Sequence, residues 1–128
     1  MNEAEVRQIV TNYFHAALME PDTSIFPTFF TLEGILEDPV GTPPLRGREA
    51  IQKFVAAGRA KIERVTFEIR EIFVCGNESA VRWTFEVWTK KGQHLTVNGI
   101  GIFLFDGECK LRHVREFFDM TMLLSIFS

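Results

Sequence analysis

Histidine, cysteine and tyrosine are scarce in this chain: three, two and one among 128 residues. His15, His94 and His113 stand at no spacing that would gather them as metal ligands. Cys75 and Cys109 are far apart and outside any metal motif, so they read as reduced structural thiols rather than ligands or a redox pair. The formal charge is −3 and no basic run occurs, which leaves no electrostatic footprint for nucleic acid. No apolar run approaches membrane-spanning length, and the opening MNEAEVRQIV lacks the charged and apolar regions of a secretion signal. A soluble cytoplasmic protein without metal or organic cofactor is the expectation. Linkers, repeats and low-complexity tracts are missing too, so residues 1–128 are expected to form one domain around one core.

Phenylalanine, by contrast, occurs thirteen times, and the spacing of apolar residues predicts the elements. From Glu3 to Met19, the residues Val6, Ile9, Val10, Tyr13, Ala16 and Ala17 share one helical stripe, which Pro21 and Asp22 end. A short helix is expected around Ser24 to Phe30, a short strand over Ile35 to Asp38, and a helix over Arg48 to Lys61 with Ile51, Phe54, Val55 and Gly58 inward. From Glu63 the period becomes two. Four strands follow, about Arg64 to Cys75, Ser79 to Lys90, His94 to Phe105 and Lys110 to Met122, joined at Gly76-Asn77, Lys91-Gly92 and Asp106-Gly107 as antiparallel hairpins. Helices first and a meander afterwards predict an α+β fold, with helices against one face of a curved sheet.

Alternation sorts the strands into two faces. One carries Val81, Trp83, Phe85 and Val87 with Ile100, Ile102, Leu104, Leu111, His113, Arg115 and Phe117. The other carries Arg82, Thr84, Glu86 and Trp88 with Val97, Gly99, Gly101, Phe103, Arg112, Val114, Glu116 and Phe118, a mixture that suits a cavity wall. If the helices cover this mixed face, the first is left exposed, and a homodimer through Trp83, Phe85, Ile100, Ile102 and Phe117 is expected. The opposite assignment, with the apolar face as the intramolecular core and the mixed face left to water, is the lesser alternative that pattern alone leaves open. Charges on a pocket wall need pairing, so an Arg82–Glu86 or Arg82–Glu116 contact is expected, with Trp88 at the rim.

One carboxylate stands apart. In EDPVGTPPLRGREAI, residues 37–51, Pro39 biases Asp38 to an extended backbone, and Gly41, Pro43 and Pro44 stiffen the loop behind it. Ile35, Leu36, Val40 and Leu45 give it an apolar setting, which raises a carboxyl pKa and suits a general base near neutral pH. An Asp-Pro pair is also a common turn opener, so a purely structural Asp38 competes with that reading. Tyr13, the only tyrosine and on the apolar stripe of the first helix, is the second candidate.

The order of elements and the residues at their junctions resemble the nuclear transport factor 2-like superfamily, a cone of curved antiparallel sheet with N-terminal helices enclosing a pocket. The nearest branch is the ketosteroid isomerases, with SnoaL-like polyketide cyclases as relatives. The resemblance runs from Tyr13 to about Leu124 and is most specific over Glu37 to Glu49, where the isomerases carry a similar acid-acid-proline loop leading to a glycine-arginine-glutamate helix start. It implies that Asp38 is the base and Tyr13 the hydrogen-bond donor to the substrate oxygen. Ketosteroid isomerase is itself the established example of this arrangement.

The chain departs from that pattern where the isomerases hold a protonated aspartic acid: Gly101 stands there and has no side-chain donor. Asn98 is near in sequence but points to the other face unless a bulge intervenes. Phe30 and Val55 replace the supporting tyrosines. The expected pocket thus comprises Asp38 and Tyr13 with Phe30, Val55, Arg82, Glu86, Trp88, Gly99, Gly101, Val114, Glu116 and Phe118, and Glu116 or a paired arginine could supply the missing donor. The resemblance implies proton transfer beside a carbonyl, as double-bond isomerisation or polyketide-type cyclisation of a small hydrophobic ketone. A non-catalytic small-molecule-binding module on the same fold is the alternative.

Overall fold

A computed structural model of the chain describes residues 1–127. Helix α1 (Glu3–Leu18) begins at a capping box in which the Asn2 side chain accepts from the Glu5 backbone N–H and the Glu5 carboxylate accepts from that of Asn2. Its buried stripe is Val6, Val10, Tyr13, Phe14 and Ala16. A 3-10 turn (Phe26–Phe29) leads into β1 (Phe30–Glu37), then β2 (Leu45–Arg46), α2 (Arg48–Arg59) and four long strands: β3 (Ile62–Cys75), β4 (Glu78–Thr89), β5 (His94–Phe105) and β6 (Leu111–Phe117). Helix α3 (Met120–Phe127) follows. The last strand therefore stops earlier than its alternation suggests, and the stretch after Phe117 turns helical. Gly47, at φ +86°, turns the chain into α2, a backbone conformation that favours glycine there.

The six strands form one curved, open sheet in the order β2-β1-β6-β5-β4-β3, and the fold is α+β. Every neighbouring pair is antiparallel except β1 with β6, which is parallel. Short hairpins dictate antiparallel neighbours only for strands joined directly, and β1 reaches β6 across the rest of the chain. Helices α1 and α2 cover the concave face, where Phe14, Phe26, Phe30, Leu36, Ile51, Trp83, Phe103 and Phe105 form the core.

The faces differ from the alternation read along each strand. Strand β4 is inverted relative to that reading: Val81, Trp83, Phe85 and Val87 point inward, and Arg82, Glu86 and Trp88 point outward. Neither of the two face assignments open to pattern alone therefore holds as a whole. The cause is one residue in a turn. A two-residue hairpin at Lys91-Gly92 would pair Lys90 with Gln93, whereas five residues, 89–93, separate the paired Trp88 and His94. A shift of one residue in register moves every side chain of a strand to the other face. The resulting register sets Trp83 opposite Gly99, and a Cβ at Gly99 would lie 2.4 Å from the indole.

Trp83 is accordingly 1% exposed and anchors the core rather than an interface, and Phe85 stacks on it at 4.1 Å. Ile100, Ile102 and Phe117 remain on the outer face, the first and last of them 42% and 41% exposed. No helix of the described residues is long and apolar enough to cross a membrane. Both cysteines are free and exposed.

Candidate active site

Asp38 follows directly on the last residue of β1, and strand alternation turns it inward while its neighbour Glu37 faces out. Glu37 pairs with His113, Nε2 to Oε2 at 2.7 Å, and accepts from Arg115 Nε at 3.1 Å. The Asp38–Pro39 peptide is cis. The loop beyond is fixed by backbone hydrogen bonds: Val40 N–H donates to the Glu116 carbonyl at 2.8 Å, and the Thr42 N–H and hydroxyl both donate to the Pro39 carbonyl. Asp38 is thus clamped beside the strand that carries Glu116.

A cavity of about 110 Å³ opens between α1, α2 and the sheet, and Asp38, Tyr13 and Glu116 all line it. Its remaining wall is mostly apolar and includes Phe14, Phe26, Phe54, Val55 and Phe85. Tyr13 lies among aromatic rings, with centroids 4.7 Å from Phe26 and 5.3 Å from Phe103. Glu116 is 4% exposed, and Trp83 Nε1 donates to its Oε1 at 3.4 Å. Cross-strand pairing sets Glu116 opposite Gly101, where a Cβ would lie 2.0 Å from Glu116 Oε1. The missing side chain of Gly101 is what gives the Glu116 carboxyl its space.

These groups are electrostatically unusual. Burial raises the Asp38 pKa to about 7, and among the described residues no hydrogen bond or cation opposes it. Burial, then the charge of Asp38, pushes Glu116 well above the usual carboxylate range, against a smaller opposing effect of the Trp83 hydrogen bond. Tyr13 is pushed well above its ordinary value by burial, then by the charges of Glu116 and Asp38. The arrangement gathers two carboxyls and a phenol, each of which burial makes reluctant to lose its proton. Among the described residues no cluster of three or more histidine, cysteine or acidic side chains is placed to hold a metal ion.

Of the residues expected at the pocket, Asp38, Tyr13, Val55 and Glu116 line the cavity. Phe30, Val114 and Gly101 lie in the layer behind it, and Phe118 and Gly99 pack around Trp83. Arg82, Glu86 and Trp88 stand on the opposite face of the sheet. Arg82 Nε donates to Glu71 at 2.8 Å, Glu86 pairs with His94 and Thr96, and Trp88 lies between the His94 ring and the Arg64 guanidinium. The expected Arg82–Glu86 and Arg82–Glu116 contacts are therefore replaced by pairs along the outer surface. Asn98 also faces out, accepting from Thr84 Oγ1 at 2.7 Å. Sequence reasoning missed Arg59, although it stands four residues after Val55 and so on the same side of α2.

Residues 10–114 match the SnoaL-like domain family. The chain belongs to that family. Among curated relatives of this SnoaL-like protein is a steroid delta-isomerase of Nocardioides simplex, 31% identical over 116 residues that cover 89% of each chain. Among solved structures, it resembles the epoxide hydrolase/cyclase-like enzyme SalBIII, described for its role in pyran ring formation in polyether salinomycin. That match has a TM-score of 0.79 and 26% identity, and covers 94% of this chain and 95% of the other. A protein from Catenulispora acidiphila with a ketosteroid isomerase-like fold, in complex with trimethylamine, superposes with a TM-score of 0.81 at 20% identity, over 92% and 90% of the two chains. It supports the nuclear transport factor 2-like cone as the fold of this SnoaL-like chain.

Proposed function

We propose that the protein catalyses cofactor-independent proton transfer beside a carbonyl, with Asp38 as the base. The observation that carries this reading is the meeting of Asp38, Tyr13 and Glu116 in one largely apolar cavity. The substrate carbonyl lies against Tyr13 and Glu116, which donate hydrogen bonds to its oxygen. Asp38 removes a proton from the carbon between the carbonyl and a β,γ double bond. The C–H electron pair moves into the C–C–O system, and the negative charge collects on oxygen as a dienolate. Asp38 then returns the proton to the γ carbon, which leaves the α,β-unsaturated ketone and restores the carboxylate. Glu116 supplies, from β6, the donor that Gly101 cannot.

Stabilising the charge that develops on the oxygen is where most of the acceleration arises, since fixed donors in a dry cavity do not reorganise as that charge forms. The cavity volume favours a small ring, for sites that take drug-sized ligands measure roughly 300–1,000 Å³. The 31% identity to a steroid delta-isomerase supports the reaction type. A second reading rests on the presence of two carboxyls in one cavity. Asp38 could instead deprotonate a hydroxyl that opens an internal epoxide while Glu116 protonates the departing oxygen, as the likeness to an epoxide hydrolase/cyclase-like enzyme suggests.

The test is isomerisation of cyclohex-3-enone and of a β,γ-unsaturated ketosteroid, followed by absorbance, in wild type and Asp38→Asn. Turnover that vanishes in the variant supports the proposal, and the preferred ketone reports the size of the site. No turnover in either protein, with ligand still bound, moves the reading to cyclisation or to a binding module. A cytoplasmic homodimer is part of this proposal. Its interface would be the outer sheet face with Ile100, Ile102 and Phe117, without Trp83 and Phe85, and sedimentation of wild type and Phe117→Lys tests it.

A further inference from the structure

Arg59 is the one cation among the described residues that line the cavity. It closes α2, and its NH1 donates to the backbone carbonyl of Glu20, just past the end of α1. No carboxylate of the described residues pairs with it, and the charge of Asp38 is not among its partners: the Asp38 shift has burial as its cause, with no contribution from a cation. A strut between two helix ends occupies one N–H of a guanidinium that carries five. Arg59 shares the cavity wall with Leu18, Phe54, Gly58 and Ile62, which are apolar or have no side chain.

The cavity lining therefore carries charges of opposite character. Asp38 must be ionised to act as a base, so a second anion beside it is repelled. Arg59 has the reverse preference. A single guanidinium matches the geometry and charge of a single carboxylate, whereas a phosphate dianion would call for further donors that the otherwise apolar lining does not offer. We propose that Arg59 binds a carboxylate of the substrate, so that the substrate is a small keto acid held with its carbonyl against Tyr13 and Glu116 and its carboxylate on Arg59. Arg59 is a binding and specificity residue. It touches no reacting atom.

This inference rests on the reading of the cavity as a site of carbonyl chemistry, and one probe separates the two. 4-Oxocyclohexanecarboxylate carries a ketone and a carboxylate at opposite ends of a small ring, and its methyl ester keeps the shape without the charge. Calorimetry should show the wild type binding the acid at least tenfold more tightly than the ester. Arg59→Met should abolish that preference while ester affinity stays within about threefold, and Arg59→Lys should retain part of it. Equal affinity for acid and ester in the wild type overturns the inference. So does an Arg59→Met variant that loses both ligands alike, since that marks a strut alone; the melting temperature and the Arg59→Lys protein identify a simple folding defect. Exchange of the ring protons next to the ketone for deuterium, followed by NMR, reads the chemistry separately. Loss of exchange in Asp38→Asn with the carboxylate preference intact supports both readings. No exchange in the wild type, with the preference intact, sinks the catalytic reading and leaves the Arg59 site standing.

Discussion

Glu37 and Asp38 are neighbours in sequence and the same functional group, yet the sheet sends them to opposite environments. Burial alone would raise both. At Glu37 the His113 hydrogen bond and the Arg115 charge outweigh it, and the pKa falls below its ordinary value. At Asp38 nothing outweighs it, and the pKa rises to about 7. The outer face repeats the first pattern, with Glu86 lowered by its hydrogen bonds to Thr96 and His94. A carboxylate that finds donors is held ionised, and one deprived of them keeps its proton to higher pH. What separates the two here is the direction in which one residue of a strand points.

The sharpest way to break this comparison is to convert each acid to its amide. Asp38→Asn should lower kcat for ketone isomerisation by about 10³ or more, within the range a positioned general base contributes. Glu37→Gln should leave kcat within about threefold, and an equal loss in both variants would erase the distinction. Next in size, Glu116→Ala and Tyr13→Phe should each cost on the order of 10²–10³ in kcat, the usual effect of deleting an oxyanion donor. Glu116→Gln, which keeps a donor, should cost less than Glu116→Ala. A loss confined to Tyr13→Phe would show the phenol acting alone.

The pH dependence follows from the same asymmetry. A base with a pKa of about 7 makes kcat/KM fall as pH drops through that value, and the limb should vanish in Asp38→Asn. Stability moves the other way. The folded-state pKa lies above the unfolded value, so the folded form holds the Asp38 proton more tightly. Its contribution is fully present below pH 4 and is lost as pH rises through about 7. Asp38→Asn should therefore raise the melting temperature at pH 8 and change it little at pH 4. The smallest effect belongs to the partner of Glu37: His113→Ala should cost about 1 kcal/mol, read by denaturant unfolding, with no change in kcat.

How far the sequence led can be traced residue by residue. Asp38 was legible because proline and glycine chemistry acts locally, and Tyr13 because helical periodicity survives any tertiary arrangement. The α+β order and the long strands were legible for the same reason. Trp83, Phe85, Arg82, Glu86 and Trp88 were not, since the face of β4 depends on the length of a turn, and a turn of two residues or five fits the same Lys-Gly signal. The pair Gly99 and Trp83 held the clue, because a glycine in a strand often marks where something large approaches. Arg59 was missed because an arginine in the last turn of a helix already has an ordinary explanation in the helix dipole.

The pocket beneath Glu116 has a broader consequence. Gly101 and Glu116 face each other across β5 and β6, and only one of them can hold a carboxyl in the space they share. The address of a buried carboxyl is thus a volume bounded by the fold, and either of two neighbouring strands can be its tenant.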